Sequence, residues 1–147
     1  MKLLELSLKY NGFPIEKARK HLRYLHSLSE EALDDHRRQQ CQFILQHHLS
    51  NNAFYRNFSK ATADTPWEEL PIMKKSDLQI PLQQRLSKGF TKKNCYLNKT
   101  SGSGGHPFYF AKDKFSHALT WAMIERLYSS HGIDLHHSKQ ARFYGIP

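Results

Sequence analysis

Between Lys99 and Phe108 the chain runs Thr100-Ser101-Gly102-Ser103-Gly104-Gly105-His106-Pro107. Glycine and serine in such a run let the backbone take positive φ, so that successive N–H groups can converge on one point. Such a nest, with the hydroxyls of Thr100, Ser101 and Ser103, forms a cradle for phosphate oxygens. It is not a Walker loop, which needs a lysine and a hydroxyl residue directly after its last glycine. Nor is it a dinucleotide fingerprint, which opens a helix where this run leads into strand-like residues. A hairpin turn or a flexible Ser/Gly linker has the same composition, and the loop residues alone leave these readings open.

The charge around the loop adds to the phosphate reading. The chain has a formal net charge of +9 at pH 7, which favours an anionic partner such as nucleic acid, a membrane surface or a phosphorylated ligand. No acid stands between Asp77 and Asp113, a window holding Arg85, Lys88, Lys92, Lys93, Lys99 and Lys112 with the loop inside it. A solvated lysine-rich face is one reading of that window, and an anion site around the loop is the other.

Other reactive side chains point to plainer roles. His47-His48, His131 and His136-His137 lack the i, i+4 pairing with a carboxylate that a zinc peptidase helix shows, and they read as surface histidines. Ser101 and Ser103 lack the G-x-S-x-G elbow of a serine nucleophile. Cys41 and Cys95 form no Cys-x-x-Cys pair and read as half-buried thiols. Phe115, Trp121 and Tyr128 follow helical spacing and read as core rather than as a base-stacking platform. No catalytic residue and no metal ligand is assigned.

Composition allows a folded chain: 39% of residues are hydrophobic and 12% aromatic, too many for wholesale disorder. No apolar run approaches the roughly 18 residues of a membrane span. Glu5 and Lys9 interrupt the apolar start, and no small-residue cleavage site follows, so no signal peptide or membrane span is expected and the chain reads as cytoplasmic.

Several elements must position the loop. Residues 1–60 read as a helical section. Pro14 occupies a first helical position, followed by Ile15, Ala18, Leu22 and Leu25 at helical spacing. Ser29 is the expected N-cap of a second helix, which carries Leu33, Cys41, Ile44, Leu45, His48 and Leu49 on one face and stops at Asn51-Asn52. Ala53–Lys60 is a short amphipathic piece. Residues 61–93 form a proline-containing connection with short helical turns at Lys75–Ile80 and Leu82–Lys88. Residues 94–147 read as the start of an α/β core. Strands are expected at Cys95–Lys99 and Phe108–Ala111 on either side of loop 100–107. A helix follows over Lys114–His131, with Phe115, Ala118, Leu119, Ala122, Met123 and Leu127 inward and Gly132 as its stop. A further strand begins at Arg142–Ile146. Because that progression of strand, helix and strand halts at Pro147, the chain reads as cut off.

Three segments in order resemble the adenylate-forming superfamily. Thr100–Pro107 resembles its phosphate-loop motif, Ser/Thr-Ser-Gly-Ser/Thr-Ser/Thr-Gly-x-Pro, which lies between two strands. Leu70-Pro71-Ile72-Met73-Lys74-Lys75-Ser76-Asp77-Leu78 resembles the L-P-x-x-x-K-x-D-L lead-in of the phenylacetate–coenzyme A ligase-like branch. Asn52-Ala53-Phe54-Tyr55-Arg56 resembles that branch's N-x-P-Y-Y-R step after a long helix. The resemblance runs from about Ser29 to the end of the chain, and the long helical start is nearest to members found in capsule and surface-polysaccharide clusters. Gly104 stands where the family has a hydroxyl residue, and Phe108 where much of the superfamily has a lysine.

The resemblance implies an α/β fold, with the helical section leading into the front of the family's large domain. It implies joining of a carboxylic acid to ATP with magnesium, then transfer of the acyl group to a thiol such as coenzyme A. Thr100, Ser101, Gly102, Ser103, Gly104 and Gly105 would bind the phosphates. The family's acyl pocket, adenine contacts, magnesium-site acid and catalytic lysine would lie beyond Pro147, so this chain alone is expected to be inactive. Two alternatives remain: a non-catalytic interaction remnant of a truncated ligase gene, and a basic nucleic-acid-binding module. The second lacks any helix-turn-helix, zinc or RNA-binding sequence pattern to accompany the charge.

Overall fold

The computed structural model describes residues 3–100, 107–135 and 137–139. They are mostly helical and carry one two-stranded antiparallel sheet. The strand expected at Arg142–Ile146 lies outside the described residues. No helix among the described residues is long and apolar enough to cross a membrane. The chain divides into two compact units, one from Met1–Ser27 with Lys112–Pro147 and one from Leu28–Ala111.

In the first unit, α1 (Leu3–Tyr10) and α2 (Ile15–Ser27) are joined through Asn11 and Gly12. Gly12 has φ +72°, and a Cβ added there would lie 2.9 Å from Lys114 Nζ, which donates to the Asn11 carbonyl at 3.0 Å. A side chain at position 12 would therefore be strained and would crowd that hydrogen bond. Pro14 lies one place before α2 rather than in its first turn, its carbonyl accepting the Ala18 N–H at 3.0 Å. At either place the missing proline N–H leaves no helical bond unmade. The third helix, α6 (Lys114–Ser130), starts at Asp113, whose carboxylate accepts the Ser116 N–H at 2.7 Å and the Ser116 hydroxyl at 2.9 Å. The helix ends before Gly132, where φ is +70°, a left-handed stop that only glycine takes without strain.

These helices enclose Leu8, Ile15, Ala18, Ala118 and Ala122, with Phe13, Leu22, Phe115, Leu119 and Trp121 packed around them. Ala18 on α2 and Ala118 and Ala122 on α6 are the small side chains that let two helix backbones approach closely. Beside them the Arg19 guanidinium grips Glu125 with two bonds of 2.8 Å and reaches Glu16 at 2.7 Å. The Glu125 carboxylate holds Arg19 protonated well above its ordinary range, against the opposing pull of desolvation.

Met123 and Leu127 were expected inward and are instead 55% and 58% exposed. Each helical residue advances about 100°, which carries these two roughly 80° and 120° round from Phe115, off the stripe that Ala118, Leu119 and Ala122 fill.

In the second unit, α3 (Glu30–Asn51) begins at the expected cap, with the Ser29 hydroxyl accepting the Ala32 N–H at 3.2 Å. Leu45 is buried on this helix, whereas Ile44, expected on the same face, is exposed. Next comes α4 (Ala53–Ser59), followed by 3₁₀ turns at Trp67–Glu69 and Lys75–Leu78 and the single turn of α5 (Leu82–Arg85). The turns are shorter than the sequence implied. Pro81 has no N–H to continue the first, and Leu86 is extended after the second. The hairpin of β1 (Tyr96–Lys99) and β2 (Tyr109–Lys112) falls within one residue of the expected strands.

Packing at the alanines gives a direct check on the first unit. Ala118→Leu should lower the urea midpoint by the equivalent of about 1–3 kcal/mol, because overpacking forces α2 and α6 apart. Met123→Ala should stay within about 0.5 kcal/mol of the parent. The reverse order in equilibrium denaturation would place the core on the other side of α6.

Candidate functional site

Of the six loop residues singled out by sequence, Thr100 is described, and Ser101, Gly102, Ser103, Gly104 and Gly105 lie outside the described residues. The two ends of the loop are bonded to each other. The Thr100 N–H donates to the Phe108 carbonyl at 3.0 Å, and the Phe108 N–H donates to the Thr100 hydroxyl at 3.0 Å. This reciprocal pair extends the hairpin past β1 and holds Thr100 and Phe108 across from each other.

A cleft of about 830 Å³ opens beside these ends. Ile80, Pro81 and Leu97 give it an apolar wall, Arg85, Lys92 and Lys99 give it three cations, and Pro107 and Phe108 bring the loop's far end into it. Among the described residues no Asp or Glu lines it. At short range, unscreened by a neighbouring carboxylate, three cations make a strong attractive field for a polyanion. The described lining offers no carboxylate to hold magnesium or to carry a proton, so these residues do not fit a metal site. Their chemistry is binding and charge stabilisation.

Arg85 holds the cleft together. Its Nε donates to the Ile80 carbonyl at 3.2 Å and its Nη2 to the Tyr109 carbonyl at 2.7 Å. The guanidinium also lies 5.0 Å from the centre of the Phe108 ring, which stacks in turn on Phe110 at 6.2 Å. One side chain thus ties α5 to the loop end of the hairpin. Partial burial pulls the Arg85 pKa down, yet an arginine starts so high that it remains a cation at neutral pH.

Beneath Arg85 a buried amide fixes the backbone. Asn52 is 5% exposed. Its Nδ2 donates to the Arg85 carbonyl at 2.9 Å and to the Ser87 hydroxyl at 3.2 Å, and its Oδ1 accepts the Tyr55 N–H at 2.9 Å. Its own N–H closes α3 on the His48 carbonyl at 2.9 Å, and next to it the Lys88 N–H reaches the Asn51 carbonyl at 2.7 Å. The sequence marked Asn52 as a helix end, and nothing local to it pointed to Arg85.

His47 and His48 are half-buried rather than on the surface. The end of α3 turns them against aromatic rings, His47 against Phe90 at 6.3 Å and His48 against Tyr55 at 5.3 Å. Burial, with the neighbouring His47 adding to it, holds the His48 pKa below its ordinary value. Exposed His131 keeps its expected place, and His136 lies outside the described residues. Cys41 and Cys95 are half-buried as expected.

No protein-family model, curated protein or solved structure matches the chain.

The His48 environment makes stability depend on pH with a defined sign. Below about pH 6.5 the unfolded chain takes up a proton that folded His48 resists. Stability is therefore full above that pH and declines as pH falls toward the depressed folded value. His117 acts in the same direction: burial and then Lys112 lower its pKa, and its Nε2 accepts the Trp121 indole N–H at 3.2 Å only when unprotonated. Urea midpoints should drop between pH 7.5 and pH 5.5, and His48→Gln should lessen the drop. A midpoint that rises on acidification over this range would contradict the half-buried, neutral assignment.

Proposed function

We propose that this chain is the front part of an acyl-adenylate-forming ligase of the phenylacetate–coenzyme A ligase-like branch, with Thr100–Gly105 clamping the terminal phosphates of ATP. In that reaction a carboxylate oxygen attacks the α-phosphorus of ATP. The new bond is an acyl–phosphate link, the bond to the bridging oxygen breaks, and pyrophosphate leaves with its electron pair. A thiol such as that of coenzyme A then takes the acyl group and AMP departs.

The observation that carries this reading is the gathering of three cations, with no Asp or Glu among the described lining residues, beside the two ends of a glycine-rich loop. Thr100 paired to Phe108 supports it further, since a fixed hairpin end spares the loop part of the ordering cost of binding. The role falling to these residues is to bind and orient the phosphates and to offset the negative charge that collects on the leaving group. Steps that need a general base or a metal belong to other parts of such an enzyme.

Equilibrium dialysis with labelled pyrophosphate tests the loop. Binding by this chain should be weak and should fall steeply as ionic strength rises from about 0.05 to 0.3 M, because the Debye length shrinks across that range. Gly102→Val and Gly105→Val should each abolish it, since a β-branched residue disfavours positive φ and blocks close phosphate approach. His131→Ala should leave it unchanged. The product of the whole gene should exchange pyrophosphate into ATP in the presence of its acid. Exchange that survives both glycine substitutions would remove the loop from the phosphate site, and tight retention of DNA with no pyrophosphate binding would favour a basic nucleic-acid module instead.

A further inference from the structure

The cleft combines two kinds of lining that an inorganic anion would not use together. Ile80, Leu82 and Leu97 supply aliphatic side chains, and Leu97 is 39% exposed. Arg85, Lys92 and Lys99 supply cations, with no Asp or Glu among the described lining residues. The Arg85 charge is fixed within that lining. Its Nε bonds the Ile80 carbonyl at 3.2 Å, its Nη2 bonds the Tyr109 carbonyl at 2.7 Å, and its guanidinium lies 5.0 Å from the centre of the Phe108 ring. All three of those residues line the cleft. The two bonds engage Nε and Nη2, so among the described residues Nη1 retains its donors. At about 830 Å³ the space is of the size that takes a small organic molecule. A small inorganic anion would leave the aliphatic side chains wet, and a hydrocarbon alone would leave the cations without a counter-charge. A molecule with both parts satisfies both.

We infer that this cleft binds a small organic carboxylate with an apolar body, its carboxylate on the Arg85 guanidinium and its hydrocarbon against Ile80, Leu82 and Leu97. A carboxylate is planar and accepts from a guanidinium through paired N–H bonds, a fit that an ammonium lacks. Lys92 and Lys99 add charge from the flexible stems of their side chains. The site uses none of residues 101–106 and is independent of the phosphate clamp.

Calorimetric titration of the chain with octanoate tests the site. Octanoate should bind at least about tenfold more tightly than acetate, which has the charge without the hydrocarbon, and than octanol, which has the hydrocarbon without the charge. Equal binding of octanoate and either comparator overturns the assignment. Arg85→Gln should weaken octanoate about tenfold or more, the loss expected for a charge-assisted hydrogen bond, and Arg85→Lys should recover only part of it. Lys93→Gln, at a residue that does not line the cleft, should stay within about twofold. Should Arg85→Gln fail to fold, Lys92→Gln and Leu97→Ser decide the matter, because both side chains are exposed. Each should weaken octanoate about threefold, and parent-like affinity in both overturns the site. Gly102→Val separates the cleft from the clamp: it should abolish pyrophosphate binding and leave octanoate within about twofold. Loss of octanoate binding in Gly102→Val would put the ligand in the loop and overturn the cleft site. Octanoate binding without pyrophosphate binding would remove the clamp and keep the cleft, and pyrophosphate binding without octanoate binding would do the reverse.

Discussion

The bond from Asn52 Nδ2 to the Arg85 carbonyl joins the end of α3 to the end of α5, and the form of the cleft follows from it. Asn52 is nearly fully buried, and its amide spends both its donor and its acceptor side on protein partners. Removing that side chain would strand the Arg85 carbonyl and the Tyr55 N–H, at about 1–3 kcal/mol for each buried group left unpaired. More would be lost than stability. Arg85 is aimed by its own backbone position, and that backbone is held from below by Asn52 and continued by the Lys88 bond to Asn51. The site is therefore built from the helical part upward: amide, then arginine, then hairpin end.

The electrostatics of the cleft run against ordinary practice for a folded surface. Three cations with no carboxylate among the described lining residues repel one another, and Arg85 is in addition partly desolvated, which lowers its pKa. Without an anion these terms oppose the structure. A polyanion placed there would reverse their sign, since each cation would then gain an attractive partner in a setting of reduced dielectric. In the first unit, Arg19 is set between Glu125, Glu16 and Glu5.

The unit built from α1, α2 and α6 rests on different physics. Its buried set is small, with alanines at the helix contacts and larger side chains around them. Alanine contributes little transfer free energy by itself, and its value lies in letting backbones come close enough for the surrounding Phe, Leu and Trp side chains to pack. The two-bond grip of Arg19 on Glu125 then fixes which faces of α2 and α6 meet. Gly12 and Asp113 set where the helices stop and start.

Sequence alone determined the features that act over a few residues. The Ser29 cap, the stop at Gly132, the pause at Asn51-Asn52 and the two strands beside the loop all depend on groups within about one turn or one pleat of each other. The phosphate reading of the loop, and the resemblance that supports it, likewise came from residue types and their order. Tertiary structure alone decided what depends on distant parts of the chain meeting. It turned Met123 and Leu127 outward, because the helical stripe drifts as it lengthens and the core claims only part of it. It drew His48 against Tyr55 and so depressed its pKa. Arg85 was visible in the sequence only as one charge among several. Its place on the Ile80 and Tyr109 carbonyls, and the bond beneath it from Asn52 across 33 positions, follow from packing, which no local spacing encodes.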